Sequence, residues 1–129
     1  MATLIDNAPI DTATIEMLRA RLCDDRRSIT EVIESSKESM AAFIAARRDV
    51  EVDDEHDPEG STLALQYSES SALLAHSRRH LDEVNAALAK ISEGSYGSCE
   101  LCGSDIPLAR LEARPFAAHC VRCAQVVTA

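Results

Sequence analysis

The sequence contains no tryptophan, and only two tyrosines, two phenylalanines, four glycines and four prolines in 129 residues. With aromatics at 3%, there is too little bulk to fill a large globular core, though enough for a seam between helices. Glycine and proline gather around Pro58–Gly60 and beyond Gly94, which leaves long stretches free of helix breakers. No long apolar run is present either. The longest, Ala41–Ala46, falls far short of the ~20 residues needed to span a membrane. No basic-then-apolar signal segment opens the chain. These absences predict a cytoplasmic protein with no membrane contact. Positive charge is also scarce, with 13 Lys and Arg against 22 Asp and Glu and a net charge of −9. Duplex binding draws its affinity from phosphates neutralised by Lys and Arg, so direct nucleic-acid binding is not expected.

What is present is periodicity. A seam pattern recurs at Ile15, Leu18, Leu22, Ile29, Val32, Ser36, Met40, Phe43, Arg47 and Val50, apolar or small at every position but Arg47, with a polar break at Asp25–Arg26. Steps of three and four are the period of a coiled-coil seam, and Asp11 or Thr12 is placed to cap the helix. The pattern stops at "DVEVDDEHDPEG" and resumes at Leu63, Tyr67, Ser70, Leu74, Ser77, Leu81, Val84, Leu88 and Ile91. Asp57 and Pro58 read as the cap and first residue of a second helix, and Gly94 as its stop. Two seams joined by a short acidic turn predict an antiparallel hairpin. With the turn near Asp57, Ile44 should face Ser70, Met40 should face Leu74, and Ile33 should face Leu81. Ser36 and Ser77 should meet in mid-seam.

Four of the five cysteines form two C-x2-C pairs, Cys99–Cys102 and Cys120–Cys123, seventeen residues apart. In a reducing compartment such pairs read as metal ligands before disulfides. One zinc per chain would take all four thiolates tetrahedrally, and a filled coordination shell makes the site structural. Gly103 lets the first knuckle turn through the left-handed region. An iron–sulfur cluster or a disulfide pair are the alternatives, and His119 could displace a thiolate. Cys23 has no partner nearby and reads as a free thiol.

The segment "GSYGSCELCGSDIPLARLEARPFAAHCVRC" (Gly94–Cys123) resembles the zinc-finger signature of the DksA/TraR family of RNA polymerase-binding transcription factors. The seventeen-residue gap, the Tyr-Gly before the first pair and "RLEARP" before the second carry the resemblance. It implies the architecture already drawn: all-α, a long antiparallel coiled-coil hairpin followed by a small four-cysteine zinc finger. The segments are a flexible arm (1–10), the hairpin (11–93, tip near 53–60), and the finger with a short C-terminal tail (94–129). The resemblance further implies a tip that enters the secondary channel of RNA polymerase and places acidic residues near its active site. Asp54 and Asp57 match the aspartates of the family pattern Asp-x-x-Asp-x-Ala, while Glu59 stands at the alanine position.

Members that respond to ppGpp use basic residues on the second helix and just past the last cysteine. Here those regions offer Glu83, Lys90, Ala124 and Gln125, with Arg78 and Arg79 further toward the tip, so ppGpp binding is not expected. The polymerase-binding reading predicts a monomer that is not an enzyme, since no nucleophile–base pair or open metal position is recognisable. The competing reading is a zinc-stapled coiled-coil adaptor that binds another helical protein.

Overall fold

The computed structural model describes residues 10–50 and 58–128. Their elements are α1 (Thr12–Val50), α2 (Pro58–Glu93), α3 (Leu108–Ala113) and α4 (Val121–Thr128). Among the described residues there is no strand beyond one isolated antiparallel bridge, Ser98 to Asp105. None of these helices is long and apolar enough to cross a membrane.

Local chemistry sets the helix ends. The Asp11 carboxylate accepts the Thr14 amide at 2.7 Å, so Asp11 rather than Thr12 caps α1. Hydrogen bonds from Thr14, side chain first and backbone second, hold that carboxyl below its ordinary range. Helix α2 closes on Gly94, whose φ is +82°. The Gly94 and Ser95 amides return to the Ile91 and Lys90 carbonyls at 3.3 and 2.9 Å, which satisfies carbonyls the helix end would otherwise orphan. Pro58 begins α2 as expected, while its expected cap, Asp57, lies outside the described residues.

The chain divides into two compact units. One spans Arg27–Leu81, the other joins the chain up to Arg26 with Asp82–Ala129. On α1 the boundary falls at the polar break Asp25–Arg26, where the apolar stripe is interrupted.

In the Arg27–Leu81 unit, α1 buries Ile29, Ile33, Ser36 and Phe43, and α2 buries Leu74 and Ser77. The Phe43 ring, near the end of α1, lies 4.9 Å from that of Tyr67, near the start of α2. The two helices therefore run antiparallel here. Both expected seam serines are buried. Two expectations of register are corrected: Val32, placed in the seam by period, is 37% exposed, and Ile44, expected to face Ser70, is 48% exposed. Ile33, expected to face Leu81, is buried. Adjacent apolar residues fit a three–four pattern equally well, and an α-helix drifts ~20° per heptad from the ideal repeat, so packing decides between neighbours. Arg47, placed in the seam by period alone, is exposed, with its guanidinium 6.0 Å from the Phe43 ring centre.

The second unit gathers the first turns of α1, the last turns of α2, and residues 94–128. Leu22, Val84, Ala87 and Ile91 are buried in it, with Ala87 rather than Leu88 the more deeply covered. Its separate core consists of Leu18, Cys99, Ile106, Leu111 and Cys123, against which Ile10, Tyr96, Ala117 and Cys120 pack. Ile10 belongs to the arm expected to be loose or weakly docked, and it packs on this core. The remainder of that arm, residues 1–9, lies outside the described residues.

Candidate metal centre

The first cysteine pair sits on a tight knuckle. The Cys99 amide donates to the Ser104 carbonyl at 2.8 Å, Gly103 returns to the Cys99 carbonyl at 2.9 Å, and Ile106 reaches the Gly97 carbonyl at 2.7 Å. Gly103 has φ +76°, the left-handed turn its position called for. The second pair is delivered by α4. Cys120 immediately precedes the helix and accepts the Ala124 amide at 2.8 Å, and Cys123 lies in the first turn.

The four sulfurs of Cys99, Cys102, Cys120 and Cys123 lie within 4.8 Å of one another, with Cys102 and Cys120 at 3.9 Å. Zinc–sulfur bonds of ~2.3 Å in a tetrahedron place sulfurs about 3.8 Å apart. The cluster therefore fits one structural zinc. His119 is not part of it. It is half-buried, and its carbonyl accepts the Arg110 Nε–H at 2.8 Å.

The thiols are electrostatically unequal. Burial pushes the Cys99 thiol up, but the amides of Cys102, Cys120 and Leu101 outweigh it and bring the pKa down to about 6. Ser104, by its side chain and then its backbone, lowers Cys102. Burial, with Cys120 beside it, pushes Cys123 up to about 12. A metal that binds thiolates must displace the protons that remain, so zinc affinity rises with pH.

A clasp holds the two knuckles together. The Tyr96 hydroxyl donates to the Pro115 carbonyl at 2.8 Å. Gly97 has φ +96°, and a Cβ there would stand 3.1 Å from Ile10 Cδ1. The Tyr-Gly and "RLEARP" signatures thus meet in one contact, nineteen residues apart in sequence. Spacing alone gave no sign of it. Burial raises the Tyr96 pKa to about 12, against a lowering effect of Arg21. Because the folded pKa lies above the ordinary tyrosine value of 10.0, the contribution of neutral Tyr96 is complete below pH 10 and fades as pH rises through about 12. Tyr96→Phe should cost about 1–3 kcal/mol by leaving the Pro115 carbonyl unpaired, and should remove this alkaline component. Thermal melts at neutral pH and at pH 11 check both. An unchanged neutral melting point would show that the hydroxyl contributes nothing.

On the α2 side, Lys90 pairs with Glu100, and this hydrogen bond is the first cause of the lowered Glu100 pKa. The Glu100 amide also donates to the Ala118 carbonyl at 2.9 Å. A groove of about 610 Å³ lies along this side, lined among others by Glu83, Lys90, Tyr96, Arg110, Arg114 and His119. Its cations are engaged, Lys90 by Glu100, Arg110 by the His119 carbonyl, and Arg114 over the Phe116 ring at 5.2 Å. Of the expected tip residues, Asp54 and Asp57 lie outside the described residues, and Glu59 occupies the first turn of α2.

Residues 94–129 match the model of the prokaryotic DksA/TraR C4-type zinc finger. The finger belongs to the DksA/TraR family. The resemblance read from Gly94–Cys123 therefore holds, and it extends to the fold. DksA2 from Pseudomonas aeruginosa superposes with a TM-score of 0.70 at 23% identity, over 99% of this chain and 96% of that one. Among curated relatives, the RNA polymerase-binding transcription factor DksA of Haemophilus influenzae is 35% identical over 69 residues, 51% of this chain and 48% of its own. General stress protein 16O of Bacillus subtilis is 41% identical over 64 residues, 50% of this chain and 39% of its own. The matched part thus spans less than half the length of either relative. The DksA/TraR finger is the C4 type, in agreement with a single structural zinc held by sulfur alone.

Proposed function

We propose that this chain is a transcription regulator that binds RNA polymerase and directs an acidic tip into the secondary channel toward the active site, without touching DNA. The observation that carries the reading is a DksA/TraR finger joined to a DksA fold that extends over 99% of the chain. In this reading Cys99, Cys102, Cys120 and Cys123 are the zinc ligands, and the metal shapes the finger rather than performing chemistry. Asp54 and Asp57, with Glu59 beside them, form the active-site-proximal tip. Carboxylates there can contact basic loops or perturb a catalytic Mg²⁺, a hard ion that prefers oxygen. The hairpin keeps its sequence-drawn bounds of 11–93, and the finger with its short tail those of 94–129. The protein acts as a cytoplasmic monomer and is not an enzyme. It does not depend on ppGpp, because Lys90, the one lysine near the finger end of α2, is held by Glu100.

The test is retention on immobilised core RNA polymerase. The zinc-loaded chain should be retained from dilute solution, and should be released by a competing DksA-fold protein. Failure to bind core polymerase would leave the adaptor reading standing.

A further inference from the structure

The metal cluster and the start of α1 share one core. Leu18 is fully buried, and it belongs to the same cluster as Cys99 and Cys123, which are 3% and 7% exposed. Those two cysteines come one from each knuckle. Ile10 packs on the cluster from the other side of the Asp11 cap, with its Cδ1 close over Gly97. A third tie lies nearby. The Arg21 guanidinium donates to the Glu112 carbonyl at 2.6 Å, on α3 between the knuckles.

We infer that Leu18 and Ile10 are positioning residues for the zinc, so that the metal and the first turns of α1 hold each other in place. The inference rests on the four-cysteine ligand assignment and goes beyond it. A tetrahedral site tolerates ligand displacements of only ~0.2 Å, and the cysteines it uses are carried on short turns with little core of their own. Leu18 is the largest side chain that α1 contributes to that core. Removing it opens a cavity beside Cys99 and Cys123, into which either knuckle can shift. Coupling is reciprocal. If α1 holds the sulfurs in place for zinc, zinc must hold α1 in place by the same free energy.

The test is zinc affinity, measured by competition with a chromophoric chelator, together with amide exchange over residues 12–20 in zinc-loaded and chelated protein. Leu18→Ala should weaken zinc binding about 10–100-fold, the range seen when groups that support metal ligands are removed. Ile10→Ala should weaken it less, and Leu18→Met, which conserves volume, should restore most of the affinity. Phe43→Ala removes comparable apolar bulk in the Arg27–Leu81 unit and should leave zinc affinity unchanged. Chelation should speed exchange over residues 12–20 in the wild type. Equal weakening by Leu18→Ala and Phe43→Ala would overturn the inference, because a global loss of stability would then explain both. Unchanged affinity in Leu18→Ala, with zinc present in the wild type, would overturn the coupling alone. A wild type that binds no zinc would instead overturn the ligand assignment and the coupling with it.

Discussion

Cys102→Ser and Cys120→Ser together should abolish zinc binding and unfold the finger, while much of the helical signal survives. One ligand is lost from each pair, so the two sulfurs that remain, Cys99 and Cys123, cannot complete a tetrahedron. The magnitude decides the outcome. Structural zinc contributes apparent binding free energies of about 10–16 kcal/mol, comparable to the whole 5–15 kcal/mol stability of a typical domain. The core around Leu18, Ile106 and Leu111 is too small to replace it. The Arg27–Leu81 unit has its own buried seam and contains about half of the helical residues. Circular dichroism should therefore fall but persist, and elemental analysis should find no zinc. Because the start of α1 belongs to the finger unit, the lost helix should include its first turns as well as α3 and α4. Complete loss of helix would show that the metal organises the whole fold, and retained zinc would exclude the ligand set.

The second large effect concerns the tip. Asp54→Asn with Asp57→Asn should remove the effect on transcription in a purified polymerase assay while leaving polymerase binding within about twofold. Binding should come from long helix flanks and the finger, whereas a tip carboxylate matters only where charge meets the active site. Asparagine is preferred to alanine because the sequence reads Asp57 as a helix cap, a position where alanine costs ~1 kcal/mol and asparagine caps as well as aspartate. A double variant that regulates like the wild type would reduce the acidic segment to a solvated turn. A variant that no longer binds would place these carboxylates in the docking surface.

Much of this architecture was legible because its signals are local. The pair spacing gave the cysteine cluster, Gly103 its turn, and Gly94 the end of α2, since each depends on a few neighbouring residues. The boundary between the two units on α1 falls beside the polar break at Asp25–Arg26, but in sequence that break reads as a gap within one hairpin, not as a boundary. Long-range choices were not legible. Period places Val32 in the seam and the hairpin pairing places Ile33 there, and only the opposing helix decides that Ile33 is the one buried. Ile10 sits in a segment without period, so nothing local marks it as part of a core with Cys99, Ile106, Leu111 and Cys123, far along the chain. The Tyr96–Pro115 clasp was visible only as two motifs with no stated relation.

That distance has a consequence for how the protein is made. The Arg27–Leu81 unit uses partners close to the acidic turn, so the entropy of bringing them together is small and it can form early. The finger unit must join Ile10 and Leu18 to Cys120 and Cys123, so its core is not complete until the second knuckle has left the ribosome. Until then the apolar face of the first turns of α1 lacks part of its cover. Metal capture is thus the last step of folding, and a nascent chain short of zinc would stall with its beginning, rather than its end, exposed.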